Sequence, residues 1–155
     1  MMRKILKITV IVLVLVFVIA QFVQPNFTNP PLVESETLAA STEVPPDVQS
    51  VLARSCNDCH TNQTSYPWYS YVTPFNWYLA DHIEKGRHEV NFSVWNTYSA
   101  QKKIRKLGEV CEQVEHGEMP LPSYLWIHRS AALTPSEVDL LCNWARTESA
   151  KIAGG

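Results

Sequence analysis

The sequence predicts an all-α protein, on two observations. Four stretches carry apolar residues at the spacing of an amphipathic helix, and no stretch alternates apolar and polar residues as a half-buried strand does. Residues typical of helix starts and stops flank these stretches. The length of 155 residues indicates one domain, and the formal net charge of -2 argues against nucleic-acid binding, which needs a basic surface.

The first element is a predicted signal anchor over residues 1–24, which contains an apolar run from Ile8 to Val23. Three basic residues precede the run: Arg3, Lys4 and Lys7. This order is typical of an export segment, whose basic end stays in the cytoplasm. A signal peptide cleaved after Ala20 and an uncleaved transmembrane helix both fit. We favour the anchor because the apolar run continues to Val23, and we expect a bacterial inner-membrane location with the following domain in the periplasm.

Residues 25–44 are rich in Pro, Ser, Thr and Glu and show no helical or alternating period. This composition predicts an extended tether between the membrane and a domain over 45–155. The alternative, for the second half of this segment, is a loop packed over the surface of that domain.

Four helices are predicted within the domain from their apolar stripes and end signals. The first, within 45–60, delivers two cysteines and a histidine at its C-terminal end. The second runs from Thr73 to Gly86, and the third stops at Gly117. The last starts with a capping box formed by Thr134 and Glu137.

Cys111 and Cys142 fall on the apolar faces of the third and fourth predicted helices. Buried free thiols are common in such positions. A disulfide is also permitted outside the cytoplasm, and we favour it.

The stretch "SCNDCHTN" contains Cys56, Cys59 and His60 as a CxxCH motif. Zinc would need about two more ligands, and the remaining cysteines do not form a second pair at metal spacing. A redox CxxC would be expected near a βαβ pattern, which is absent from the sequence. Covalent haem needs only what is present, because two thiols add to the haem vinyl groups and the adjacent histidine binds the iron. We therefore predict one haem c.

A second axial ligand is predicted at Met119, in the proline-flanked stretch "HGEMPLPSY". A stiff loop suits a thioether, which is a weak ligand that its surroundings must hold. The alternatives are a core-filling methionine, a histidine ligand with His82 first, and an open iron site.

These parts together resemble small class I cytochromes c, and more closely the bacterial haem-binding domain family of membrane-anchored, cytochrome c-like proteins. The stretches that carry the resemblance are 56–95, "GEMPLPSYLWIH" over 117–128 and the final capped helix. The resemblance implies a c-type haem on Cys56 and Cys59, with His60 and Met119 as axial ligands. The aromatic-rich insert over 64–95 departs from ordinary class I cytochromes.

The insert contains "YPWYSYVTPFNWYLA", with seven aromatic residues in fifteen. Trp68, Trp77 and their tyrosine neighbours are predicted to wall the haem and exclude water, or simply to build the core of a small domain. Arg87 is the best cationic candidate for a haem propionate, because its guanidinium fork suits carboxylates. The alternative for Arg87 is a solvated surface charge.

The function predicted from these features is one-electron transfer by a monohaem cytochrome, rather than an enzymatic reaction, with redox proteins as partners. A larger respiratory or photosynthetic complex is one form such partners take. The alternative is a haem enzyme or a gas or redox sensor with an open or labile sixth position, in which His82 or His88 would be the distal polar group.

Overall fold

The computed structural model describes residues 1–154 and is all-helical over that range, which confirms the predicted fold class. Four short 3-10 segments connect the helices: Glu34–Glu36, Trp68–Tyr71, Phe92–Thr97 and Arg129–Ala131. The α-helices are α1 Met2–Ala20, α2 Leu38–Ser41, α3 Pro46–Ser55, α4 Asn57–His60, α5 Phe75–Glu89, α6 Ala100–Glu115, α7 Pro122–Leu125 and α8 Pro135–Gly154.

The core forms where α6 and α8 pack side by side. Leu107, Val114 and Leu141 are buried between them, on the stripes that the sequence predicts. A disulfide joins Cys111 to Cys142, with their Cα atoms 4.7 Å apart, so the favoured pairing is confirmed. The buried faces of α3 and the 3-10 turn at Trp95 complete this core.

The ends of α6 and α8 follow local capping rules. Gly117 has a φ of +68°, and the amides of Gly117 and Glu118 donate to the carbonyls of Val114 and Gln113. This is a Schellman motif, in which glycine adopts the left-handed conformation at low cost. The predicted capping box is also present, because the Thr134 amide donates to the Glu137 carboxylate at 2.8 Å.

The segment 25–44 lies against the domain in the structure. Leu38 is part of the buried core. The indole N–H groups of Trp95 and Trp144 donate to Thr42 and Glu43 at the end of the segment. The second half of the segment therefore packs over the domain, whereas the division of the chain into anchor, tether and domain stays a prediction.

The helix α1 is exposed along its length and is joined to the domain at its C-terminal end. The Thr73 amide donates to the Gln21 side chain at 2.9 Å, and the Trp77 indole donates to the Val23 carbonyl at 2.9 Å. No helix within residues 1–154 is long and apolar enough to span a membrane. This finding contradicts the predicted transmembrane helix. The first two turns of α1 contain three basic residues, Arg3, Lys4 and Lys7, which shorten its apolar part.

Candidate functional site

The CxxCH motif forms a short helix of its own. The predicted continuous helix ends at Ser55, and Cys56 leaves helical geometry with φ -128° and ψ -41°. The Cys56 carbonyl then accepts hydrogen bonds from the amides of Cys59 and His60, at 3.1 and 3.0 Å. One helical turn therefore separates the two thiols and places His60 directly after the second.

The imidazole of His60 is held by two backbone carbonyls. Its Nδ1 lies 3.0 Å from the Gly86 carbonyl oxygen and 3.0 Å from the Val90 carbonyl oxygen. Carbonyl oxygens only accept hydrogen bonds, so Nδ1 must carry the proton and donate it. Burial lowers the pKa of His60, although the two carbonyls oppose that effect. The neutral ring therefore keeps its Nε2 lone pair for a metal, and its orientation is fixed from behind.

Gly86 allows α5 to approach the CxxCH helix closely. A Cβ atom at this position would lie 2.9 Å from the Cys59 carbonyl oxygen and 3.3 Å from the Cys59 Cβ. The sequence indicated Gly86 as a helix end, but α5 continues to Glu89. An isolated glycine within a helical pattern is the signal that would have indicated close contact with another part of the chain. Gly86 is thus a site residue that was not predicted.

An ion pair between a buried lysine and an exposed glutamate supports the last turn of α5. Lys106 of α6 is 5% exposed, and its ammonium group donates to Glu89 at 3.2 Å and to Glu109 at 2.6 Å. Both Lys106 and Glu89 are close enough to affect the charge state of His60. The pair therefore fixes the turn whose carbonyls orient the imidazole.

The two motif thiols are free and partly buried. Burial, with the neighbouring Cys59, raises the pKa of Cys56 to about 12, although Arg54 opposes the shift. Burial and Asp58 raise the pKa of Cys59 to about 11, although Arg87 opposes the shift. Both thiols are therefore protonated at neutral pH in the absence of a bound group. The covalent attachment of haem to this pair stays a prediction.

The residues before the motif fit a ligand that carries carboxylates. The Nε of Arg54 and the Oγ of Ser55 are buried and have no hydrogen-bond partner within the described part of the chain. Haem carries two propionate groups, which accept hydrogen bonds. Together with two free thiols and an oriented imidazole, these donors make a set that suits haem.

Met119 lies in the loop that leaves α6 and is half-buried against the core. Its amide donates to the Gln113 carbonyl at 3.2 Å, and Pro120 is buried. The loop thus holds the methionine in one place, as the sequence suggested. Its role as axial ligand stays a prediction.

The predicted aromatic wall is largely on the surface. Trp68 is 78% exposed and Trp77 is 44% exposed. The haem roles predicted for Trp68, Trp77 and Arg87 stay predictions. Arg87 does not lie free: its Nε donates to the Thr61 carbonyl at 2.8 Å and its Nη2 donates to Thr64 and Asn29 at 2.9 Å.

The alternative histidines have other surroundings. His82 stacks on Tyr78 with ring centroids 4.0 Å apart, and its Nδ1 donates to the Tyr78 carbonyl at 2.7 Å. The side chain of His88 is 86% exposed. Neither residue is drawn toward the CxxCH helix by a hydrogen bond within residues 1–154.

A group of polar aromatic side chains lies beside Cys59, and of these Tyr69 was predicted to belong to the wall around the haem. Tyr69, Tyr124 and His128 line one small cavity together with Asp58 and Cys59. These residues are far apart in the sequence, so only the folded chain brings them together.

Comparison with known proteins gives one match. Residues 15–147 match the family model of the haem-binding domain. No curated protein matches the chain, and no solved structure matches it. The resemblance to cytochromes c stays a prediction. The matched range covers most of the chain and includes both the CxxCH motif and Met119. The chain therefore belongs to the haem-binding domain family.

Proposed function

We propose that this protein is a monohaem electron carrier that holds its haem covalently through Cys56 and Cys59. The observation that carries the proposal is the orientation of the His60 imidazole. The carbonyls of Gly86 and Val90 hold its Nδ1, and its Nε2 makes no hydrogen bond within residues 1–154. A ligand ring fixed in this way does not reorganise when the charge on a bound metal changes, which favours rapid electron transfer. When bound, haem iron supplies a one-electron Fe(III)/Fe(II) couple.

Met119 is proposed as the second axial ligand. The half-buried thioether lies in a loop stiffened by Pro120 and Pro122, and a weak ligand needs such support. With both axial positions filled by protein atoms, substrates have no access to the metal. This feature separates a carrier from an enzyme or a sensor.

The proposed location is outside the cytoplasm, on the periplasmic side, with redox proteins as partners. The disulfide between Cys111 and Cys142 supports this proposal, because structural disulfides persist in oxidising compartments. The N-terminal order of basic and then apolar residues is also typical of exported chains.

The absorption spectrum of protein matured in an exporting host tests the proposal. A carrier shows low-spin iron with the charge-transfer band of methionine–sulfur ligation, and Met119→Ala loses that band. A high-spin spectrum that shifts on adding CO, cyanide or peroxide would instead favour the enzyme or sensor.

A further inference from the structure

We propose that three tyrosine hydroxyls, those of Tyr69, Tyr78 and Tyr124, clamp the segment 119–128 against the CxxCH helix and so hold Met119 in position. The clamp residues are positioning residues and do not bind the metal. This inference rests on the proposed function, because it takes Met119 as the axial ligand.

Beyond the buried Pro120, the segment 119–128 has little else to hold it. Its only α-helical part is the single turn α7, and the turn has no side-chain cap. Trp126 and Ile127 at its far end are 79% and 63% exposed. Burial of apolar surface therefore contributes little at this end, and specific side-chain bonds must supply the order.

Two clamp bonds come from the aromatic insert. The Tyr78 and Ser123 hydroxyls lie 2.7 Å apart and form a hydrogen bond between α5 and α7. The Tyr69 hydroxyl lies 2.5 Å from Nε2 of His128. The insert thus contacts the segment at its middle, Ser123, and at its end, His128.

The third bond reaches the motif itself. The Tyr124 hydroxyl donates to the Asp58 carboxylate at 3.1 Å, and Asp58 is one of the two residues between the motif cysteines. The same Tyr124 ring stacks on His128, with centroids 4.2 Å apart and planes 8° apart. One tyrosine therefore joins the segment to the CxxCH helix and also aligns the histidine that Tyr69 holds.

Two of the three bonds, Tyr69–His128 and Tyr124–Asp58, join residues that line one cavity. Cys59, Leu79 and Ile83 line the same cavity. Cys59 is the residue after Asp58, so any movement of α7 away from Asp58 opens this cavity. Two residues separate Met119 from the start of α7. Because Pro120 and Pro122 restrict the backbone between them, the position of α7 determines the position of Met119. The clamp therefore sets where the thioether lies relative to the motif.

The test is a triple variant, Tyr69→Phe/Tyr78→Phe/Tyr124→Phe, which removes only the hydroxyls. Tyr71→Phe is the matched control, because Tyr71 belongs to the same insert and is 58% exposed without a hydroxyl bond to the segment in residues 1–154. In full-length protein carrying haem, we expect the triple variant to have a weaker methionine–sulfur band. We also expect it to bind added imidazole, which competes with Met119, at least about tenfold more tightly, because three hydrogen bonds of ordinary strength are lost. The control should match the unmodified protein.

A second readout does not depend on the metal. In the haem-free chain with Cys56→Ala and Cys59→Ala, amide exchange over 121–128 should be about tenfold faster or more in the triple variant. If the triple variant fails to fold, Tyr78→Phe alone tests the peripheral bond with the same two measurements.

The outcomes separate the clamp from the proposed function. A triple variant that keeps the band, the imidazole affinity and the slow exchange would overturn the clamp, even where Met119→Ala loses the band. A spectrum unchanged by Met119→Ala would overturn the methionine ligand, whatever the tyrosine variants do.

Discussion

Gly86 sets the distance between α5 and the helix that carries CxxCH. Its missing side chain leaves room for the Cys59 carbonyl, and its own carbonyl accepts the hydrogen bond of His60. One residue thus contacts Cys59 and holds the imidazole of His60. The orientation of the imidazole depends on a backbone atom, the carbonyl oxygen of Gly86, which no side-chain motif would reveal.

We predict that Gly86→Ala destabilises the protein by about 1–3 kcal/mol, because the new methyl group overlaps backbone atoms of Cys59. The helix propensity of alanine offsets part of this loss. Denaturant unfolding of the haem-free chain measures the change, and the fraction of chains that acquire haem should fall with it.

Gly108→Ala is the matched control for this prediction. Gly108 lies in α6 with nothing within 4 Å of an added Cβ. The control should be as stable as the unmodified chain or gain up to about 1 kcal/mol. Equal stability of the two variants would show that α5 does not approach Cys59 this closely.

At the scale of elements, α8 is tied to α3 through its first turn. Glu137 accepts from the Thr134 amide at 2.8 Å and pairs with Arg54 at 2.7 Å. These contacts, the Thr134 amide first, lower the pKa of Glu137 from 4.5 to about 2. Because Arg54 is two residues before Cys56, the cap of α8 also supports the entry to the motif.

Glu137→Gln should lower the free energy of unfolding at pH 7 by about 1–2 kcal/mol, the size of a lost cap and a partly exposed ion pair. The folded pKa lies below the unfolded one, so the carboxylate stabilises the fold above about pH 4.5. That contribution disappears as the pH falls toward about 2. Urea unfolding at several pH values should therefore show the deficit of the variant shrinking over this range.

Glu84→Gln on the exposed face of α5 serves as the control for charge removal alone. It should leave stability within a few tenths of a kcal/mol at every pH. A deficit of Glu137→Gln that stays constant down to pH 2 would contradict the assignment of the cap.

The ends of elements could be predicted where the signal is local. Gly117 and the pair Thr134 and Glu137 act within one turn of their own helices, and the sequence alone located them. Gly86 was misplaced because its role depends on Cys59, which lies in another helix. The Tyr69–His128 contact joins residues 59 positions apart, so no local pattern could reveal it.

At the scale of the whole molecule, the disulfide joins the two helices that build most of the core. Cys111 and Cys142 are 31 positions apart, and closing a loop of that size restricts the unfolded chain substantially. The haem motif lies outside this loop. Stability of the core and attachment at the motif are therefore separable by mutation.

We predict that Cys111→Ala/Cys142→Ala lowers the free energy of unfolding by about 3–4 kcal/mol, the value expected for loop closure. Guanidinium unfolding measures it, with the reduced unmodified chain as a second comparison. Haem attachment should persist in molecules that fold. Two alkylatable thiols at these positions in the unreduced chain would show that the bridge does not form.

The most direct test of a covalent haem on CxxCH is the intact mass of the protein under denaturing conditions, after maturation in an exporting host. We predict the mass of the chain plus one haem, resistant to extraction by acidified acetone. Cys56→Ala/Cys59→Ala should lose that added mass, whereas Cys111→Ala/Cys142→Ala should keep it. Haem that is extracted from the unmodified chain, or an unchanged mass, would contradict the covalent site.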